Sequence, residues 1–272
     1  MTSFARAARP AVSAEAPVRL ITDAWTILSA ELIKLRHDPV ELATRAVQPL
    51  LWLLVFGQVL ANMRAIPTGS IAYIDYLAPG ILAQSALFMA IFFGIAIIWD
   101  KDSGVLHKVL ASPASRSGVV LGKAAAGSVR GLAQAAIVYL VSYLIGVDLR
   151  LEPLAVFGVC VIVAVGSALF ATLSLLVATI VRSRERFMGI GQLMTMPLFF
   201  ASSAIYPIAL MPQWLQVVAM LNPLTYMVDG IRALMIEGAP SVRGVGVDLA
   251  VLTTVLCVLV ALTGRRLPRL AE

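Results

Sequence analysis

The chain has 272 residues, 60% of them hydrophobic and 13% charged, with a formal net charge of +6 and a mean hydropathy of +0.92. Soluble domains carry about a quarter charged residues and roughly 45–50% apolar ones. This composition therefore excludes an ordinary soluble domain and predicts an all-α, polytopic membrane protein. The basic residues are spread over connectors, with no stripe interleaved with aromatics, which argues against a nucleic-acid partner.

In chain order, residues 1–18 are rich in Ala, Pro and Arg and read as a disordered tail without a cleavable leader. Over 19–37, Ile21, Trp25, Leu28, Leu32 and Leu35 fall on one helical face, with Asp23, Glu31, Lys34 and Arg36 off it, and Pro39 follows. This is the pattern of a helix lying in the membrane interface, and equally of one packed on the protein itself. Six apolar segments follow at 46–63, 77–99, 124–147, 154–181, 187–206 and 245–263. A bilayer needs about 20 apolar residues per helix, so all six qualify as spans. Between the last two, 207–244 holds two apolar runs, Pro212–Leu221 and Leu224–Ile236, split by Asn222-Pro223. They are too short to cross and suit re-entrant or interfacial helices broken at the proline. Asp229 and Arg232 are spaced to pair on one face there. Residues 265–272 form a short tail.

Sixteen of the 21 basic residues fall in the connectors shared with the termini and four in the opposite connectors, with Arg130 inside the third span. That bias places both termini in the cytoplasm of a multi-pass plasma-membrane protein.

One cytoplasmic connector stands out. After Trp99 come Asp100, Lys101 and Asp102, and then Val105, Leu106, Val109 and Leu110 share one face of a helix of about two turns that Pro113 ends, with Arg116 beyond. Such a helix can dock into a groove on a soluble partner or rest on lipid headgroups. Nearby, Gly118 to Lys123 resembles a phosphate-binding loop but has three residues between its glycines where that loop has four, and Ala124 follows the lysine. The chain is thus expected to bind no nucleotide itself. Gly118, Gly122 and Ala126, then Gly127, Gly131 and Ala135, make small-residue stripes for close helix packing. Arg130 either snorkels to the inner interface or faces a cavity beside Gln134.

The spans lack a histidine, and Asp75, Asp100, Asp148 and Glu152 sit at span ends. A proton- or sodium-driven carrier usually buries an acid at mid-depth, so that class is disfavoured, as is a membrane-embedded enzyme. Cys160 and Cys257 lie in apolar segments and read as small packing residues, and neither they nor His37 and His107 suggest a metal site.

Leu106 to Arg116, followed by Val120-Leu121-Gly122-Lys123, is similar to the loop between the second and third spans of the ABC-2 type transporter permeases, most closely the daunorubicin-resistance-like branch. Leu221 to Tyr226 with Asp229, Gly230 and Arg232 resembles the outer motif before the last span of that family, and Arg36-His37-Asp38-Pro39 also fits. Asp100 and Asp102 stand where that family often has glutamates. The resemblance implies a non-enzymatic permease subunit, paired with a second copy of itself or a sister permease and with two cytoplasmic ATP-binding subunits. ATP and Mg would be bound by those subunits, and the substrate would be an amphipathic drug, lipid or glycolipid. Its coupling helix would involve Asp100, Asp102, Val105, Leu106, Val109, Leu110, Pro113 and Arg116. Export of a polysaccharide, or less readily ion-coupled carriage, is the competing reading.

Overall fold

A computed structural model of the chain describes residues 16–37, 39–63, 66–69, 71–104, 115–181 and 183–266, all the regular elements among them being helical. The segment Val105 to Pro113, expected to form the coupling helix, lies outside the described residues.

Helix α1 runs Ala16–His37 and α2 Pro39–Leu51, continued by a π-helical segment Trp52–Gly57 and α3, Gln58–Met63. Pro49 lies inside α2 and has no N–H to give the ladder, and the widened turn follows directly. Then come α4 (Tyr73–Asp102), α5 (Arg116–Leu144), α6 (Pro153–Ala178), α7 (Arg184–Phe200), α8 (Gln213–Leu221), α9 (Pro223–Met235) and α10 (Val245–Arg266). The Ser115 hydroxyl accepts from Gly118 N at 3.1 Å and starts α5 eight residues before the expected span, which places Lys123 well inside the helix.

Among the described residues, five segments are long and apolar enough to cross a bilayer: Leu42–Met63, Tyr73–Asp102, Ser117–Leu144, Pro153–Ala178 and Val245–Arg266. The expected fifth span, α7, has 17 helical residues and breaks after Phe200, just past Pro197. The chain then turns through residues 201–205, which are buried.

Packing explains which helices are central. In α4, 78% of its most apolar window is buried, against 22% for the first span and 11% for α10. The α4 helix is therefore the axis of the bundle, with α5 and α6 packed on it and on each other, while the first span and α10 present apolar faces outward. Close approach follows the small residues: a Cβ on Gly118 or Gly122 would strike Asp23 and Ile27 of α1, and one on Gly127 or Gly131 would strike Ala171 and Ser167 of α6. The two stripes on α5 thus serve two different neighbours. Cys160 and Cys257 are exposed on the outer surfaces of α6 and α10, so they are not the packing residues their segments implied. In an apolar segment, position on the helix face decides burial, and both fall on the face turned away from the bundle.

Candidate functional site

Helix α1 shows how the site is built. Ile21 and Trp25 on its apolar stripe are 67% and 65% exposed, whereas Glu31, off the stripe, is 3% exposed. The helix thus turns its polar side onto the protein and leaves apolar residues outside, as suits an element at a lipid boundary. Its partner is α5. Lys123 Nζ lies 2.6 Å from Glu31 Oε1 and 2.7 Å from Asp100 Oδ2, and Arg130 Nη2 lies 3.3 Å from Glu31 Oε2. Lys34 Nζ closes the group at 3.2 Å from Glu31 and 3.3 Å from Asp100. The Arg130 guanidinium also sits 4.8 Å from the centre of the Phe93 ring. Two carboxylates and three cations therefore bind α1, the end of α4 and α5 into one cluster. Arg130 neither snorkels to water nor waits in an open cavity: its charge is met by Glu31 from 99 residues earlier in the chain.

Electrostatics favour the charged forms of Glu31 and Lys34. Burial pushes the Glu31 carboxyl up, but Lys123 and then Lys34 outweigh it and hold it below its ordinary value. For Lys34, burial pulls the amine down, and Glu31 and Asp100 more than restore it, leaving it raised.

The described residues on either side of the 105–113 segment are tied to this base. Before it, Arg184 of α7 donates to Asp102 Oδ2 from Nη2 at 2.6 Å and from Nε at 2.9 Å, with its guanidinium 3.6 Å above the Trp99 ring. After it, Ser115 N donates to Asp23 Oδ2 at 2.8 Å. Asp100 and Asp102 are thereby placed on the cluster and on its α7 link. The side chain of Arg116 lies outside the described residues.

At the opposite end, the outer motif repairs the broken fifth span. The turn after Phe200 leaves backbone carbonyls inside the protein that need donors. Asn222 Nδ2 donates to Leu198 O at 2.7 Å and Ala201 O at 2.8 Å, while its Oδ1 caps α9 by accepting from Leu224 N at 3.0 Å. Arg232 Nη2 donates to Ser203 O at 2.7 Å and Tyr76 O at 3.1 Å, its guanidinium 3.7 Å over the Tyr76 ring. Tyr76 and Tyr73 hydroxyls serve Ser203 O and Ile205 O. Asp229 and Arg232 do not pair as expected. Asp229 accepts from Val242 N, Arg243 N and the Ser241 hydroxyl at 3.1–3.3 Å, so its charge is spent on the backbone that leads into α10. Pro223 starts α9, and the Tyr226 hydroxyl donates to Met220 O at 2.8 Å, tying α9 to α8.

Between α2, α4 and α7 lies a cleft of about 280 Å³ lined by Thr44, Arg45, Gln48, Phe88, Phe92 and Gln192. Arg45 stands 5.7 Å from the Phe92 ring centre. Polar and aromatic groups together inside an otherwise apolar belt make a surface for an amphipathic molecule. The sequence alone pointed to neither this cleft nor Glu31 as a site. Its signal for Glu31 was a lone acid at the edge of an apolar stripe, with no partner in sequence reach except Lys34.

The profile of the ABC-2 type transporter family matches residues 22–236, most of the chain and all of the charged base. The chain belongs to the ABC-2 type transporter family. The permease is 29% identical over 218 residues to the transport permease ycf38 of Cyanophora paradoxa, covering 79% of this chain and 74% of that one. It is 24% identical over 257 residues to the daunorubicin resistance ABC transporter permease protein DrrB1 of Streptomyces coeruleorubidus, covering 94% and 88%. Nodulation protein J of Rhizobium leguminosarum bv. trifolii is 28% identical over 191 residues, covering 70% and 71%. ABC-2 permeases are membrane transport components that work with ATP-binding subunits.

Proposed function

We propose that this permease is the membrane subunit of an exporter that moves an amphipathic drug, lipid or glycolipid outward on ATP hydrolysed by a separate cytoplasmic subunit. The observation that carries the proposal is the rooting of the 105–113 segment. Asp102–Arg184 at one end and Ser115–Asp23 at the other fasten it to α7, α4, α1 and α5. A push on that segment from a soluble partner would meet four helices through the short polar links that flank it. Val105, Leu106, Val109 and Leu110 supply the apolar docking face, and ATP with Mg belongs to the partner. Two ATP-binding subunits would serve two permeases, a second copy or a sister chain meeting the poorly buried first span across lipid. The charged base faces the cytoplasm of a plasma membrane. The cleft beside Arg45 and Phe92 favours a cargo with polar and apolar parts, in keeping with a relative named for a drug.

The test is purification of tagged permease from native membranes in mild detergent, with companions identified by mass spectrometry. A stoichiometric soluble protein with an intact phosphate-binding loop is expected. A chain that comes out alone, where known complexes survive, contradicts the proposal.

A further inference from the structure

At the end of the bundle opposite the charged base lies a cavity of about 320 Å³. Its wall is shared by the start of α4, the buried turn 201–205, α9 and the segment that leads into α10. Ile71, Ile208 and Val242 give it an apolar side, and Ser203, Arg232, Arg243 and Asp229 a polar one.

The charges on that wall are unequal. Arg232 is 6% exposed and keeps its charge at any working pH. It donates from Nε and Nη2 to the carbonyls of Tyr76 and Ser203. Its Nη1 has no hydrogen-bond partner, and no carboxylate forms an ion pair with it, among the described residues. The guanidinium of Arg243 sits 4.9 Å from the centre of the Tyr226 ring, with no carboxylate among the described residues bonded to it. Asp229 is the one acid on the wall, and its oxygens already accept Val242 N, Arg243 N and the Ser241 hydroxyl. Asp248 lies against Gly230 and is not part of the lining. Two guanidiniums and one carboxylate leave the wall net positive.

Ser203 supplies a second, independent sign of a ligand. It is 7% exposed, and its hydroxyl has no hydrogen-bond partner among the described residues. Its carbonyl is in full use, accepting from Tyr76 and Arg232. A buried hydroxyl without a partner is costly, so one on a cavity wall points to an acceptor in the cavity.

We propose that this cavity binds the anionic headgroup, a phosphate or carboxylate, of an amphipathic molecule. Arg232 Nη1, Arg243 and the Ser203 hydroxyl donate to its oxygens, as guanidiniums suit such groups. The carbons next to the headgroup lie along Ile71, Ile208 and Val242; a free ion would leave that side uncovered. About 320 Å³ is at the low end for small-molecule sites, so the headgroup and a few carbons fill it. This site is separate from the cleft beside Arg45, and it holds whether or not the permease exports the molecule it binds.

The test is calorimetric titration of octyl phosphate into the purified full chain in a non-ionic detergent, against protein-free micelles, octanol and inorganic phosphate. Octyl phosphate should bind, and Arg243→Gln and Ser203→Ala should each weaken it about tenfold. Arg232 is left unchanged because it also holds the turn. Ser203→Ala removes a hydroxyl that no described residue uses, so its thermal stability should not fall, whereas a residue that only held the turn would lower it. Octyl phosphate that binds no better than octanol, or that binds both variants as it binds wild type, overturns the proposal. Inorganic phosphate that binds as tightly as octyl phosphate also overturns it, in favour of a free ion. Native mass spectrometry of the extracted permease separates the two sources of such a headgroup. A phospholipid that stays on wild type and leaves Arg243→Gln supports a bilayer lipid, and wild type that carries none yet takes up octyl phosphate supports a transported molecule.

Discussion

Lys123 Nζ sits 2.6 Å from Glu31 Oε1, joining residues 92 apart in sequence and two helices that lie along one another at the charged base. The bond sits where a near-miss of a phosphate-binding loop ends, and it shows what that lysine does instead. Its ammonium is spent on Glu31 and Asp100, and its helix packs glycine by glycine against α1.

Lys123 makes the shortest contacts to both carboxylates, and without it Glu31 keeps Lys34 and Arg130 and Asp100 keeps Lys34 at longer range. Lys123→Met should lower stability by about 1–3 kcal/mol, read as thermal denaturation of the detergent-solubilised permease. Lys123→Arg, which keeps the charge, should lose much less. Equal losses in the two would show that packing, and not charge, holds α1 in place.

The pH response of this cluster has a defined sign. Glu31 is held below its ordinary value of 4.5, so its contribution is complete above that value and lost as pH falls through the lower, folded one. Lys34 is raised above 10.5, so its contribution is complete below that value and lost only as pH climbs past it. The attachment of α1 should therefore be insensitive to pH between about 5 and 9 and weaken in acid. Limited proteolysis of α1 across pH reads this, and the acid limb should disappear in Glu31→Gln.

At the other end, Arg232→Lys should cost about 1–3 kcal/mol, because an ammonium cannot serve the carbonyls of Tyr76 and Ser203 and stack on the Tyr76 ring at once. Chemical denaturation checks the value, and Asn222→Ala should behave alike, since both side chains feed donors to the same broken turn.

Much of the helical order is legible in the sequence because it rests on runs of about 20 apolar residues and on prolines that end helices. The break after Phe200 is not, since Phe187 to Tyr206 is predominantly apolar and the turn is held by Tyr73, Tyr76, Asn222 and Arg232 from distant elements. Asn222-Pro223 and Arg232 were legible as a motif, but their work as donors to a buried turn was not. Glu31 and Arg130 lie 99 residues apart, and helical periodicity carries no information at that range.

The docking face expected over 105–113 has a test of its own. Leu106→Asp with Leu110→Asp should abolish association with the ATP-binding subunit while membrane insertion is unchanged, because the apolar face becomes charged. Co-purification at full yield with normal ATP turnover would remove this segment from the coupling role.

The most direct measurement of the central claim is transport into inside-out membrane vesicles holding the permease and its ATP-binding partner, with an amphipathic fluorescent drug as cargo. Uptake that requires ATP and continues when a proton uncoupler is added is the predicted result. Uptake that survives ATP depletion and collapses with the uncoupler would contradict it.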